Sequence, residues 1–290
     1  MKKFIKLLGI TLLTLSLVAC GGTKPTEEAT EGTTEEVVEE TAGETEKLVV
    51  SATLDPHAKI LEFVKPILLD EYNIELEVIV LDDYYVFNKA LDAGEVDANY
   101  FQHVPFFDED VKANGYEITN IAGIHIEPFG FYSNTITSID EIEDGATIVI
   151  SNSVADHGRV LTILDKAGLI KLSDDADAIA ATISDIVENP KNLQFVEVKP
   201  ELLTISYENN EGVLVAINGN YAIQGGLNPA EDAVILEQAD ATNPYVNIVA
   251  VKKGTEEDVK IKALVEVLTS DTVKEYITTT WANGSVIPTE

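Results

Sequence analysis

The chain has 290 residues, 45% hydrophobic and 24% charged, enough for one large domain or two modest ones with a substantial core. Its 51 acidic side chains against 19 basic ones leave a formal charge of −32. A field of that sign repels phosphate backbones and anionic lipid, which excludes nucleic-acid binding and adsorption to an acidic membrane through the protein surface. A single Cys excludes an intramolecular disulfide framework.

Met1-Lys2-Lys3-Phe4-Ile5-Lys6 is a short basic start, and Leu7 to Val18 is an apolar run interrupted by Gly9, Thr11, Thr14 and Ser16. The run is too short to cross a hydrocarbon layer of about 30 Å as a helix, so residues 1–19 read as an export signal. It ends Leu17-Val18-Ala19-Cys20-Gly21, which resembles the lipobox of bacterial lipoproteins. The resemblance implies that Cys20 carries diacylglycerol and becomes the acylated, palmitate-type N-terminus after cleavage. Each buried methylene contributes about 0.8 kcal/mol, so two or three chains hold stably. Gly21 to Glu46 is mostly Thr, Glu, Gly and Ala, with nine Glu and one Lys. Such a segment cannot bury enough apolar surface to offset its ordering entropy, and like charges extend it. Residues 20–46 are therefore expected to tether the folded part to the outer face of a cytoplasmic membrane, a layout suited to a Gram-positive-type cell surface.

From Leu48 onward strand-length apolar runs alternate with helix-length amphipathic stretches. Leu48–Ala52 predicts a strand, and Asp55-Pro56-His57 opens a helix with Ile60, Leu61, Val64, Ile67 and Leu68 on one face. Pro66 is expected to kink that helix or end its first half. Strands follow at 76–81 and 96–101, with helices at 84–91 and 104–114. The pattern then restarts with strands at 118–124, 129–133 and 146–151 and a helix at 154–167, ended by Gly168. A second helix is expected at 176–187, then strands at 193–198 and 213–217, and a short helix from Asn218 to Gly225. A strand at 246–251 and two helices from about Glu256 complete the chain. No internal repeat is visible, which excludes solenoids and propellers. The alternation predicts two α/β lobes joined by crossover strands, with a closed eight-fold barrel as the rival. The expected division is 47–126 in the first lobe, 127–240 in the second, and 241–290 returning to the first.

No G-x-S-x-G elbow, Walker loop or G-x-G-x-x-G is present, and the lipid claims the Cys. What stands out is a sparse polar set at strand ends: His57, His103, His125, His157, Arg159, Asn218 and Asn220. Arg159 is the only arginine, placed in the first turns of a helix after Ser151-Asn152-Ser153 and Asp156-His157-Gly158. Helix N-termini and guanidinium groups both favour carboxylates, which suits an anionic ligand group. A surface Arg in a salt bridge fits the same spacing. For the Asn pair, helix capping is the simpler role.

Five segments carry a family resemblance. Asp55-Pro56-His57-Ala58-Lys59-Ile60-Leu61-Glu62-Phe63 and Gly94-Glu95-Val96-Asp97-Ala98-Asn99-Tyr100-Phe101-Gln102-His103-Val104-Pro105 are two of them. His125-Ile126-Glu127-Pro128-Phe129-Gly130, Asp185-Ile186-Val187-Glu188-Asn189-Pro190-Lys191-Asn192 and Asn218-Gly219-Asn220-Tyr221-Ala222 are the others. In this order they resemble the methionine-binding lipoproteins of ABC importers, the NlpA lipoprotein family, across nearly all of 48–290. The resemblance implies a type II periplasmic-binding-protein-like fold, each lobe a mixed sheet flanked by helices. It implies a monomer that closes on one amino acid, methionine first, and delivers it to a permease and ATPase pair without catalysis or cofactor. By position it assigns Arg159 to the ligand carboxylate, and Asn218 and Asn220 to the α-amino and carboxylate groups. Tyr84, Tyr100, Phe101, His103 and His125 would line the side-chain pocket, and Asn152 is retained near Arg159. Ser151, Ser153 and Asp156 stand where the family pattern has Pro, Asp and a second Asn, and Thr53-Leu54-Asp55 also departs from it. Crossings near Glu127-Pro128 and Thr242-Pro244 would be the hinges. The alternatives are another amino acid or a Met-containing dipeptide, a zinc receptor using the His residues with Glu127 and Asp156, a hydrolase based on His103 or His125, and a surface adhesin.

Overall fold

A computed structural model describes residues 45–238 and 243–290. The export signal, Cys20 and the tether up to residue 44 lie outside the described residues, as does Thr242 of the second crossing. The strands are β1 (Glu46–Ala52), β2 (Ile74–Val80), β3 (Ala98–His103), β4 (Ile118–Ile126), β5 (Gly130–Tyr132), β6 (Thr147–Ser151) and β7 (Lys171–Leu172). They continue as β8 (Ile186–Glu188), β9 (Gln194–Val198), β10 (Leu214–Ile217), β11 (Ala233–Leu236), β12 (Val246–Lys252) and β13 (Ile287–Pro288). The helices are α1 (Lys59–Tyr72), α2 (Tyr84–Ala93), α3 (Val104–Asn114), α4 (Val154–Lys166), α5 (Leu203–Glu208), α6 (Gly219–Gln224), α7 (Pro229–Asp232), α8 (Val259–Leu268) and α9 (Asp271–Thr280).

Two open mixed sheets organise them, in the orders β13-β4-β12-β3-β1-β2 and β11-β5-β10-β6-β9, with β7 and β8 as a small separate pair. Open sheets exclude the closed barrel. In the first sheet β1 pairs in parallel with β2 and β3, while β12 runs antiparallel between β3 and β4. In the second, β6 pairs in parallel with β9 and β10, and β5 is antiparallel to β10 and β11. The chain leaves the first sheet through Glu127-Pro128-Phe129 and returns to it with β12. Every residue of β3 is buried, as a strand inside a sheet covered on both faces requires. One core packs α1, α8 and α9 on the first sheet, another fills the second lobe around Phe129, Ile148, Leu161 and Leu164. A third joins the lobes: Tyr84, Phe87, Phe101 and Phe106 meet Val149, Ala155, Val215, Ile217 and Tyr221. Among the described residues no helix is long and apolar enough to cross a membrane.

Three expectations need correction. β1 begins at Glu46, pairing it with Ile74, so the last residue assigned to the tether belongs to the sheet. Pro66 does not end α1, which continues to Tyr72. Pro66 and Glu62 are both exposed, so water can satisfy the Glu62 carbonyl that Pro66 leaves without a partner. No helix forms over 176–187. That stretch is irregular, then a short 3-10 turn at Ile183–Asp185 with a Thr182/Asp185 capping box, then β8. Its backbone lies directly on α4: a Cβ at Gly158 would sit 2.2 Å from the Ile179 carbonyl oxygen, and Thr162 Oγ1 donates to the Ala178 carbonyl. A regular helix there would take those carbonyls for its own ladder.

Candidate ligand-binding site

β3, α4 and α6 bring their polar ends to one place between the lobes. Ile248 of β12 pairs with Gln102 and Val249 with Tyr100, so Phe101 is the extra residue of a bulge. Bulges re-aim side chains at sheet ends, and here Phe101, Gln102 and His103 all reach the interlobe cavity. The first lobe also contributes Tyr84 and Phe106, from the start of α2 and of α3, and Asn247 of β12. Across from them stand Glu127 of the crossing, Arg159 of α4, and Asn218, Gly219 and Asn220 where β10 turns into α6. The cavity offers about 20 Å³, room for a single water. Direct hydrogen bonds hold the lobes over it. Tyr84 Oη donates to Asn220 Oδ1 (2.5 Å), Tyr221 Oη donates to the Asp82 carbonyl (2.5 Å), and His103 Nε2 meets Asp156 Oδ1 (3.0 Å).

Arg159 is 5% exposed. Its Nε and Nη2 bind Glu237 (3.0 and 2.5 Å), Nη2 also donates to the Glu127 carbonyl (2.8 Å), and Tyr245 stacks on the guanidinium at 4.3 Å. The Nε edge is therefore held from behind, which fixes the plane of the fork. Glu127, whose carbonyl Arg159 holds, is the carboxylate of the lining. Its carboxylate takes the Asn220 backbone N–H and His125 Nε2 (2.8 Å), with His57 Nε2 at 3.5 Å. Burial pushes the Glu127 carboxyl above its ordinary range, and His57 and Arg159 pull it back in part. Gly219 is needed for this: a Cβ there would lie 2.6 Å from Glu127 Cβ and 2.7 Å from its Oε2. Asn218 Oδ1, an acceptor, and Asn220 Nδ2, a donor, are buried without a hydrogen-bond partner among the described residues. Buried amides left unpaired are costly, and a small polar ligand placed here satisfies both.

The structure brings Arg159, Asn218, Asn220, Tyr84, Phe101 and His103 to the cavity. Three expected residues do not line it. Tyr100 and His125 lie one layer behind, in mutual hydrogen bond, with His125 supporting Glu127. Asn152 is exposed, and its backbone N–H donates to the Val198 carbonyl (2.7 Å). Asn247, Gln102, Phe106, Glu127 and Glu237 complete the site beyond the sequence assignment. Asn247 left a readable signal, a lone amide inside the apolar run 246–251, and Glu127 sits inside a quoted motif. Glu237 left none.

Ligand atoms of His57, His125 and Glu127 lie within 4.8 Å of one another and are the residues that could hold a metal. Their donor set is already spent on hydrogen bonds. His57 bridges Thr53 Oγ1 (2.6 Å) and Asn247 Oδ1 (3.0 Å), and His125 bridges the Tyr100 hydroxyl and Glu127. Burial lowers His57 to about 4 and His125 to about 3, so both rings are neutral at pH 7. The cluster is a relay that holds Glu127 and Asn247, which argues against the zinc alternative.

A cavity between two α/β lobes, lined by a guanidinium, a carboxylate, amides and aromatic rings, defines a two-lobed small-molecule receptor. The chain belongs to the NlpA lipoprotein family, whose profile matches residues 48–290. It is 49% identical over 243 residues to the methionine-binding lipoprotein MetQ of Bacillus subtilis, covering 83% of this chain and 88% of that protein. Among solved structures it resembles an ABC transporter periplasmic substrate-binding protein from Coxiella burnetii (35% identity, TM-score 0.77, covering 83% of this chain and 99% of that one). It also resembles a nutrient binding protein from Burkholderia cenocepacia bound to methionine (32% identity, TM-score 0.79, 84% and 100% covered).

Proposed function

We propose that this lipoprotein is the receptor of an ABC importer and binds methionine as a zwitterion in the interlobe cavity. The observation that carries the reading is the polarity of that cavity. Arg159 and Asn220 Nδ2 offer donors, Glu127 and Asn218 Oδ1 offer acceptors, and Phe101, Phe106 and Tyr84 contribute aromatic rings. An α-amino acid with an uncharged side chain matches all three, and a thioether is well suited to aromatic faces. The relatives named as methionine-binding support the choice of ligand, and the Coxiella substrate-binding protein supports the transporter setting. Capture requires the lobes to part, since the cavity between them holds about one water. The crossings at Glu127-Pro128 and near Pro244 would bend as the Tyr84–Asn220 and His103–Asp156 bonds break. Acyl chains on Cys20 would keep the receptor beside a permease and ATPase pair, acting as a monomer at a Gram-positive-type surface. The test is calorimetric titration of L-methionine into protein refolded from denaturant to strip bound ligand. Micromolar or tighter binding that vanishes in Arg159→Ala supports the reading, and silence in the wild type overturns it.

A further inference from the structure

We propose that Asn88 is a specificity-determining positioning residue, which consumes the Gln102 amide and so turns the cavity toward ligands with an apolar side chain. The inference rests on the amino-acid reading above. Asn88 is completely buried in α2 and does not line the cavity, whereas Gln102 is 3% exposed and does. The two side chains close on each other as an amide pair. Asn88 Nδ2 donates to Gln102 Oε1 (2.9 Å), and Gln102 Nε2 donates to Asn88 Oδ1 (2.7 Å). The remaining hydrogens of the pair are placed as well. Gln102 Nε2 also donates to Asn99 Oδ1 (3.0 Å), and Asn88 Nδ2 to Asp110 Oδ2 (2.9 Å). Asn99 Nδ2 in turn donates to Asn88 Oδ1 (2.9 Å), and Asp110 Oδ1 takes the Asn114 amide (2.8 Å). An amide nitrogen carries two hydrogens, so Gln102 has none left for a ligand. The groups read as taking the ammonium and carboxylate, Arg159, Glu127, Asn218 and Asn220, belong to the second lobe and the crossing. The ligand side chain is left to the first-lobe lining, where Gln102 joins the rings of Tyr84, Phe101 and Phe106. A side-chain carbonyl there meets no N–H from Gln102 and loses the bonds it had in water, a cost that a thioether does not incur.

Freeing that amide narrows the preference. Asn88→Leu keeps the size of the side chain and releases one N–H and the carbonyl of Gln102. Asn99→Ala releases the other N–H by an independent route. The experiment compares full-length wild type, N88L, N99A, Q102L and the double variant N88L/Q102L, each refolded from denaturant to strip bound ligand. Calorimetric titration gives the affinity of each for L-methionine and for L-glutamine, whose side chains are close in length. N88L and N99A are each expected to cut the preference for methionine over glutamine about tenfold or more. In the Q102L background N88L is expected to leave the preference unchanged, because the amide it acts through is gone. Two variants reach the same amide, so misfolding of either leaves the other to decide. A preference unchanged in folded N88L or N99A, which includes equal loss for both ligands, overturns the proposal, as does an N88L effect that persists with Q102L. Wild type that binds neither ligand overturns the amino-acid reading instead.

Discussion

Replacing Glu237 by Gln removes the charge that holds the Nε edge of Arg159 while keeping the side-chain length. The two groups are 5% and 12% exposed, so the pair is largely out of water. Deleting one partner of a buried pair costs about 3–5 kcal/mol. Gln retains one acceptor, and Arg159 still donates to the Glu127 carbonyl at 2.8 Å and stacks on Tyr245, which brings the expected loss to about 2 kcal/mol. For a folded unit of this size that is a melting temperature lower by about 4–8 °C. A bound carboxylate supplies the missing negative charge to the same guanidinium. The deficit in saturating L-methionine is therefore expected to be less than half of that without ligand, read by thermal unfolding of both proteins with and without methionine. An equal deficit in the two conditions would refute the reasoning and separate Arg159 from the ligand carboxylate.

Other consequences follow from the same geometry. Gly219→Ala forces a Cβ to within 2.6 Å of Glu127, so methionine affinity measured by calorimetry should fall about a hundredfold or more; unchanged affinity would show that Glu127 is dispensable. His57 is lowered from 6.5 to about 4 by burial, so between these values the unfolded chain binds a proton that the folded one does not. Stability is therefore full above pH 6.5 and falls as pH drops toward 4, by about 3 kcal/mol from this group alone. His125, shifted the same way, adds to the loss, and Glu127, shifted upward, offsets part of it. Urea unfolding at stepped pH should show the slope, and His57→Gln should flatten it; a wild-type profile level from pH 7 to 4.5 would contradict the assignment.

Much of this architecture was legible in the residues. Strand-length apolar runs at 48–52 and 246–251 mark two strands of the first sheet because both of their faces are covered. The false helix at 176–187 shows the limit of that signal. Ala and Ile there recur at helical spacing, yet the backbone is claimed by Gly158, a glycine on a helix more than twenty residues away in sequence. The short elements α5, α7, β11 and β13 leave too little pattern to read. At the site, Asn218 and Asn220 could be picked out because they stand where a strand turns into a helix, and Arg159 because it is the chain's one arginine. The distinction between Phe101, which lines the cavity, and Tyr100, which lies behind it, depends on a bulge against β12. Glu237 pairs with Arg159 across the whole second lobe, and no local pattern encodes that contact.

The most direct test of the account is a crystal structure of the protein with L-methionine. The account predicts the ligand carboxylate on Arg159 and Asn220 Nδ2, its ammonium between Glu127 and Asn218 Oδ1, and its thioether against Phe101 and Phe106. A ligand seated in the reverse sense, or outside the interlobe cavity with Asn218 Oδ1 and Asn220 Nδ2 still unpaired, would contradict it.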